Sequence, residues 1–220
     1  MSRQGPKQAL FAQLASMAKT LGHPHRIELL ELLAQRERSV EATAGLVGLS
    51  VANASQHLQQ LRRAGLCTSR REGKFRLYRL ADDDPIRLLG LLRQVAEKNL
   101  AEVDRILHGY YAGRDQLEPV SRTELVARLQ SGRVAVVDVR PVGEWAAGHL
   151  PGAVSIPLDE ISTRLSELDP SVEIVAYCRG PYCILAFEAV ATLRARGFAA
   201  RRLEDGLPEW KAAGLPVVAA

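Results

Sequence analysis

Cys178 and Cys183 stand five positions apart in Ala176-Tyr177-Cys178-Arg179-Gly180-Pro181-Tyr182-Cys183, just ahead of the apolar run Ile184-Leu185-Ala186-Phe187. Thiols at this spacing can close a disulfide, supply half of a metal site, or act as a reactive thiol with a companion. The chain has three cysteines in 220 residues. That is too few, and odd in number, for a secreted disulfide scaffold, so both thiols are expected reduced at rest. No second cysteine pair or histidine cluster accompanies them, and neither a metal nor a cofactor is expected. Cys178 falls where an apolar strand candidate ends, and a helix candidate opens roughly five residues on. Reactive groups of open α/β sheets gather at such strand ends. A loop curling into a helix N-terminus aims amides inward and lowers a thiol's pKa, so Cys178 is expected as a thiolate in an amide cradle. Gly180-Pro181 forces a turn there, and Arg179 is the loop's one cation. Cys183 is either a second, resolving thiol or an apolar residue in the first turn of the helix.

The elements that would hold this loop follow from periodicity. Residues 134–139, 153–156 and 173–177 are short apolar strand candidates. They alternate with helical segments near 121–131, 158–168 and 183–196, which argues for a parallel sheet covered on both faces. The first half reads differently. Helical spacing covers 8–21 and 25–35, with Gly22-His23-Pro24 between them, and a short helix is expected around 40–46. Ser50 is a good N-cap for a helix over 51–64 that Gly65 ends. Residues 67–71 and 75–80 look like strands joined by Glu72-Gly73-Lys74, and Asp82-Asp83-Asp84-Pro85 caps one long helix to about residue 111. Domains are drawn at 1–111 and 118–218, with 112–117 as the linker.

Helix 51–64 buries Ala54, Leu58 and Leu61. Ala52, Gln56, Gln59, Gln60 and Arg63 lie opposite, with Ser50, Asn53 and Ser55 near its start. Amides and hydroxyls on an acid-free face suit major-groove base edges and phosphates. The preceding short helix completes a helix-turn-helix, and a hairpin bearing Arg70, Arg71, Lys74, Arg76 and Arg79 would lie along a DNA backbone. Charge agrees. Residues 1–115 hold 18 Lys and Arg against 12 Asp and Glu (+6), residues 116–220 hold 11 against 13 (−2), and only the first half suits a polyanion. No run of eighteen apolar residues and no basic-then-apolar leader is found, so a soluble cytoplasmic protein with no membrane partner is expected.

Two resemblances emerge. Leu21-Gly22-His23-Pro24-His25-Arg26-Ile27, Leu49-Ser50-Val51 through Ala64-Gly65-Leu66, and Arg71-Glu72-Gly73-Lys74-Phe75-Arg76-Leu77-Tyr78 resemble the ArsR/SmtB winged-helix repressors. The resemblance implies a homodimer built from the first and last helices of this half on a pseudo-palindromic operator in double-stranded DNA. Many members sense metals through a Cys-x-Cys ahead of the helix-turn-helix. This chain has Arg38-Ser39-Val40-Glu41-Ala42 there, so a thiophilic metal has no such site. His108 with Asp104 is a weaker metal candidate, better read as surface, and Cys67 reads as a small buried apolar residue.

Asp138-Val139-Arg140-Pro141 through Gly148-His149-Leu150-Pro151-Gly152, and Leu203-Glu204-Asp205-Gly206 through Leu215-Pro216-Val217, resemble rhodanese (sulfurtransferase) domains. That likeness implies that Cys178 is the nucleophile carrying a persulfide, with Asp138, Arg140 and His149 as scaffold. Phosphatases and arsenate reductases of this fold use Cys-x5-Arg, and Ile184 holds that position here, so both activities are disfavoured.

The expected molecule therefore has two domains: an N-terminal α+β winged helix-turn-helix and a C-terminal α/β rhodanese-like domain with a mainly parallel sheet. Its expected function is a repressor whose second half senses or carries sulfane sulfur, or an oxidant, on Cys178, with Cys183, Arg179, Gly180 and Tyr182 completing the loop. An active sulfurtransferase with an autoregulatory DNA-binding half, or a constitutive repressor with a structural second half, are the alternatives.

Overall fold

The computed structural model describes residues 5–111, 119–132 and 134–220. It forms two compact units that meet between Pro85 and Ile86. The stretch 112–117, read as a linker, lies outside the described residues.

The first unit opens with α1 (Pro6–Leu21) and α2 (Pro24–Gln35), followed by the two-residue strand β1 (Arg38–Ser39). α3 (Val40–Val47) and α4 (Val51–Arg63) come next, then β2 (Cys67–Glu72) and β3 (Phe75–Leu80). Local chemistry sets these boundaries. Ser39 Oγ accepts from the Ala42 amide at 3.1 Å and starts α3. Gly48 takes φ +70° and stops it, a conformation glycine adopts without a Cβ penalty. Ser50 Oγ accepts from the Asn53 amide at 3.2 Å and starts α4, as expected. Ala54, Leu58 and Leu61 are all fully buried, and Leu29, Leu30, Ala44, Cys67 and Tyr78 are buried in the same unit. The hairpin pairs antiparallel from Cys67 opposite Leu80 to Glu72 opposite Phe75, and β1 adds to β3 in the order β1-β3-β2.

α5 (Asp84–Asn99) begins at the last residues of the first unit and runs into the second. Asp82 Oδ1 accepts from the Asp84 amide at 2.9 Å, so the acidic run is a cap. The single long helix expected to residue 111 is not formed. Leu100 takes φ −109°, ψ 105°, and α6 (Ala101–Ile106) and a π-helical turn (Leu107–Tyr111) follow. Asn99, a weak helix former, turns its amide back onto the Val95 carbonyl at 2.7 Å.

Next come α7 (Arg122–Gln130), β4 (Val134–Asp138), α8 (Val142–Trp145) and β5 (Val154–Ser155). β6 (Glu173–Tyr177), α9 (Ile184–Ala195), β7 (Ala200–Arg202) and α10 (Leu207–Ala212) complete the chain. All four strands are parallel, in the order β5-β4-β6-β7. The period-2 pattern sorts their side chains. Val137, Ile174, Ala176 and Cys178 enter one core with Ala189, Val190 and Leu193 of α9. Val136, Val175 and Tyr177 enter the other with Leu125 of α7 and Trp210 of α10. Helices therefore cover both faces, as the sequence predicts.

The helix expected over 158–168 is instead two 3₁₀ turns, Leu158–Glu160 and Leu165–Glu167. Arg164 between them leaves the helical region at φ −111°, ψ 19°, after the weak helix formers Ser162 and Thr163. β7 escapes sequence reading because its two arginines suggest a surface loop; Glu173 at 2.6 Å and Glu124 at 2.9 Å meet Arg201.

Candidate functional site

The loop between β6 and α9 holds both thiols in one nest. Cys178 is 1% exposed, while Cys183, the N-cap residue of α9, is half-buried. Cys178 Sγ lies 3.4 Å from the Cys183 carbonyl and 3.8 Å from that of Gly180. The amides of Gly180 and Ala186 turn toward Cys178 Sγ, and those of Arg179 and Leu185 toward Cys183 Sγ. The amide cradle is present, but its charge rests elsewhere than the sequence suggests. Burial pushes the Cys178 thiol well up, and its S–H donates to the Cys183 carbonyl at 3.4 Å. The neighbouring Cys178 thiol first, then the backbone of Arg179 and Leu185, outweigh desolvation and bring Cys183 down to about 6. Desolvation thus favours the protonated form of Cys178, and Cys183 is shifted the opposite way.

Arg179 is claimed by the protein itself. Its guanidinium grips the buried carboxylate of Glu144 at 2.8–3.1 Å. Glu144 was not singled out in the sequence, although it sits on α8 inside the quoted 138–152 motif. Gly206 is a second residue of this kind. A Cβ there would stand 2.3 Å from the Gly180 nitrogen, and the Leu207 amide donates to the Cys178 carbonyl at 3.2 Å. The start of α10 thus presses on the loop backbone. Gly180 keeps its own open side toward Glu209, 3.8 Å from a notional Cβ.

Asp138, Arg140 and His149 are buried in the domain. Asp138 and Arg140 are fully buried and paired at 2.5 Å, with Arg140 also donating to the Gly148 carbonyl at 2.7 Å. The Tyr177 hydroxyl donates to Asp138 and accepts from the Leu150 amide. His149 stacks on Trp145 with ring centroids 4.1 Å apart.

Tyr182 turns away from the sulfur nest. Its hydroxyl donates to Glu97 Oε1 of α5 at 2.5 Å, and the Arg93 guanidinium lies 5.8 Å from its ring. Arg93 also meets Glu209 at 3.5 Å, and Arg122 meets Asp205 at 2.8 Å. Tyr182, Glu97, Arg93, Arg122 and Asp205, with Pro181, line a cleft of about 550 Å³. Arg93 and Glu97, four apart on one helical face, carry no chemical signature in the sequence.

In the first unit, Ala52, Asn53, Gln56 and Arg63 are exposed on α4. Two residues of that face have other partners: Gln60 accepts from Arg26, and Gln59 donates to Ser55 at 3.0 Å. On the hairpin, Arg70 is forked onto Glu37 and reaches Glu72 at 3.2 Å, so it anchors the wing. Arg71 and Arg76 face each other directly across the strands, with Lys74 exposed at the turn. Like charges opposed on a hairpin repel, and a polyanion relieves that. Cys67 is buried and its thiol pushed up to about 12 by desolvation. His108 and Asp104 are an exposed pair at 3.1 Å, and among the described residues no cluster of three potential ligands is set to hold a metal ion. Among the same residues, no helix is long and apolar enough to cross a membrane.

A winged helix-turn-helix and a parallel α/β unit with a thiol loop at a strand end define the class, a DNA reader joined to a rhodanese-like domain. Comparison with known proteins agrees. The family described as "Bacterial regulatory protein, arsR family" matches residues 23–69, and the "Rhodanese-like domain" matches 121–213. The HTH-type transcriptional regulator Rv0324 of Mycobacterium tuberculosis is 44% identical across 96% of this chain and 92% of its own. The chain belongs to the ArsR-family HTH-type transcriptional regulators that carry a rhodanese-like domain. A sulfurtransferase of Allochromatium vinosum is 34% identical over 39% of this chain and 79% of its own. Among solved structures, the homodimeric winged helix-turn-helix DNA-binding domain of Mb0332 from Mycobacterium bovis is 42% identical. It covers 46% of this chain and 94% of its own, with a TM-score of 0.40.

Proposed function

We propose that this regulator is a sulfane-sulfur sensor: its thiol loop takes up sulfur, stored on Cys178, and the modified loop changes operator affinity. The observation that carries the reading is that the residue between the two thiols along the turn, Tyr182, is bonded to Glu97 of α5. A chemical change in the loop therefore bears on the helix that runs back to the DNA-binding unit. On the DNA side, Ser50 caps the recognition helix, and Ala52, Asn53, Ser55 and Gln56 near its start would meet base edges. Gln59, Gln60, Arg63, Arg71, Lys74 and Arg76 would meet phosphates, while Arg70 holds the wing. Dimerisation is supported by apolar side chains left open on each helix. Leu10 and Leu14 of α1 are both 66% exposed, and Leu91 and Val95 of α5 are 61% and 60% exposed.

The test is fluorescence anisotropy on double-stranded DNA from the protein's own upstream region, with and without glutathione persulfide. Wild type should shift by about 5- to 150-fold in affinity, the range of a 1–3 kcal/mol coupling. Cys178→Ser should not move. Equal binding by both proteins in every condition refutes the sensor.

An active sulfurtransferase is the second reading, favoured by the likeness to the Allochromatium enzyme. Sustained turnover from thiosulfate would establish it. Neutralisation of Arg179 by Glu144 argues against it, since the loop's one cation is not offered to an anionic donor.

A further inference from the structure

We infer that Cys183, not Cys178, is the first acceptor of sulfur, and that it passes the sulfur inward to Cys178. The inference rests on the sensor reading above and assigns the two thiols their order. Cys178 is sealed, 1% exposed, beneath its own loop and the start of α10, so a donor meets Cys183 first. Cys183 stands at the N-cap of α9 and is only half-buried, a position where the start of the helix favours a negative charge. Cys178 lies in the same turn, its Sγ 3.4 Å from the Cys183 carbonyl, so its thiol proton is carried beside the residue that must accept one if Cys183 is to leave.

The chemistry balances without an outside oxidant or reductant. The Cys183 thiolate attacks the outer sulfur of a hydropersulfide, RS–SH. The donor S–S bond breaks, its electron pair leaves on RS⁻, and Cys183–S–SH forms. Cys178 then attacks that outer sulfur and gives its proton to Cys183 Sγ. The products are Cys178–S–SH, now buried, and Cys183–SH, which returns its proton to solvent. One sulfane sulfur moves twice and no net redox change occurs. Burial would then protect the stored persulfide from stray thiols, which the half-buried position does not.

At neutral pH, a thiol near 6 is largely ionised, whereas one that burial pushes well above its ordinary range is scarcely ionised. Part of that advantage is lost because lower basicity means weaker nucleophilicity, and access adds to what remains, so loading through Cys183 should be at least about tenfold faster.

The experiment is anaerobic loading of the full-length protein with glutathione persulfide, quenched by alkylation and mapped by peptide mass spectrometry. Wild type should carry sulfur on Cys178. Cys178→Ser should load at the wild-type rate and retain sulfur on Cys183. Cys183→Ser and Cys183→Ala should load Cys178 at least about tenfold more slowly. Either Cys183 variant loading Cys178 at the wild-type rate overturns the order while leaving the sensor intact. Absence of sulfur on both thiols of wild type overturns the sensor itself. A further readout needs no variant: the wild-type loading rate should rise through about pH 6, and a profile that begins to rise only near 9 overturns the assignment.

Discussion

Replacing Gly206 with alanine separates two reasons for a glycine. Gly206 has φ −109° and ψ −173°, extended backbone that alanine adopts freely. Were conformation all that mattered, Gly206→Ala would stabilise by about 0.4–1 kcal/mol through the unfolded chain. Space decides otherwise. The new Cβ would lie 2.3 Å from the Gly180 nitrogen, 2.4 Å from the Arg179 carbonyl carbon and 2.6 Å from the Gly180 Cα. These are backbone atoms of a loop tied to β6, so relief requires a shift of about 1 Å rather than a rotamer change. Overpacking typically costs about 1–3 kcal/mol, and three backbone clashes put this case near 3. The two tryptophans, Trp145 and Trp210, both lie in the second unit, so fluorescence-detected urea unfolding reports on it. A loss of about 3 kcal/mol should appear, corresponding to a melting shift of roughly 10–20 °C. The same shift should loosen the sulfur nest and slow persulfide loading. An unchanged or raised midpoint would refute the close-packing account.

The other expected outcomes are simpler. Asp138→Ala strands the fully buried Arg140 charge without its carboxylate and should cost about 3–5 kcal/mol by the same assay; a loss under about 1 kcal/mol would contradict it. Gly45→Ala, exposed within α3 with nothing within 4 Å of a Cβ, should stabilise the first unit by about 0.5–1 kcal/mol, read by circular dichroism. Arg76→Ala should reduce the salt slope of DNA binding by about 1, whereas Arg70→Ala, already held by Glu37 and Glu72, should leave the slope nearly unchanged. Folded Cys183 ionises near 6 and an unfolded cysteine near 9, so between those values the unfolded chain holds the extra proton and stability rises with pH. Above 9 the raised Cys178 reverses the sign. Urea midpoints of wild type should therefore peak near pH 9 and fall away toward 6, and Cys183→Ser should lose the rise.

What could be read in advance was what local chemistry determines. Ser50, Gly65 and the Ala54-Leu58-Leu61 stripe define the recognition helix because caps and helical periodicity are written within a dozen residues. The parallel sheet was legible because its strands are continuous apolar runs buried on both faces. The break at Leu100 was not, since no proline or glycine marks it and the cause is a side chain turning back on its own helix. The protonation order of Cys178 and Cys183 was not either. Spacing placed both thiols at a helix start, but which one keeps its proton depends on depth, and depth is a property of the packed loop. Gly206, Glu144 and Glu97 lie 28, 34 and 81 positions from Cys178 in sequence, beyond any local signal.

Those distant residues explain why a rhodanese-like loop can serve a regulator. With Arg179 locked to Glu144, the loop's cation is spent on holding the turn, and the positive pull on a donor comes from amides and one helix start. On the sensor reading proposed above, Tyr182 gives a loaded loop something to act upon. α5 presents Arg93 and Glu97 to that tyrosine, while Leu88, Leu91, Leu92 and Val95 form an exposed apolar stripe on another part of its surface. If the stripe meets a second copy, the path from thiol to dimer contact crosses the width of one helix, about 10 Å. On that reading, loss of the Tyr182 bond would act without unfolding: a small rotation of α5 would re-register the stripe, since packed interfaces respond to such shifts by switching between discrete arrangements.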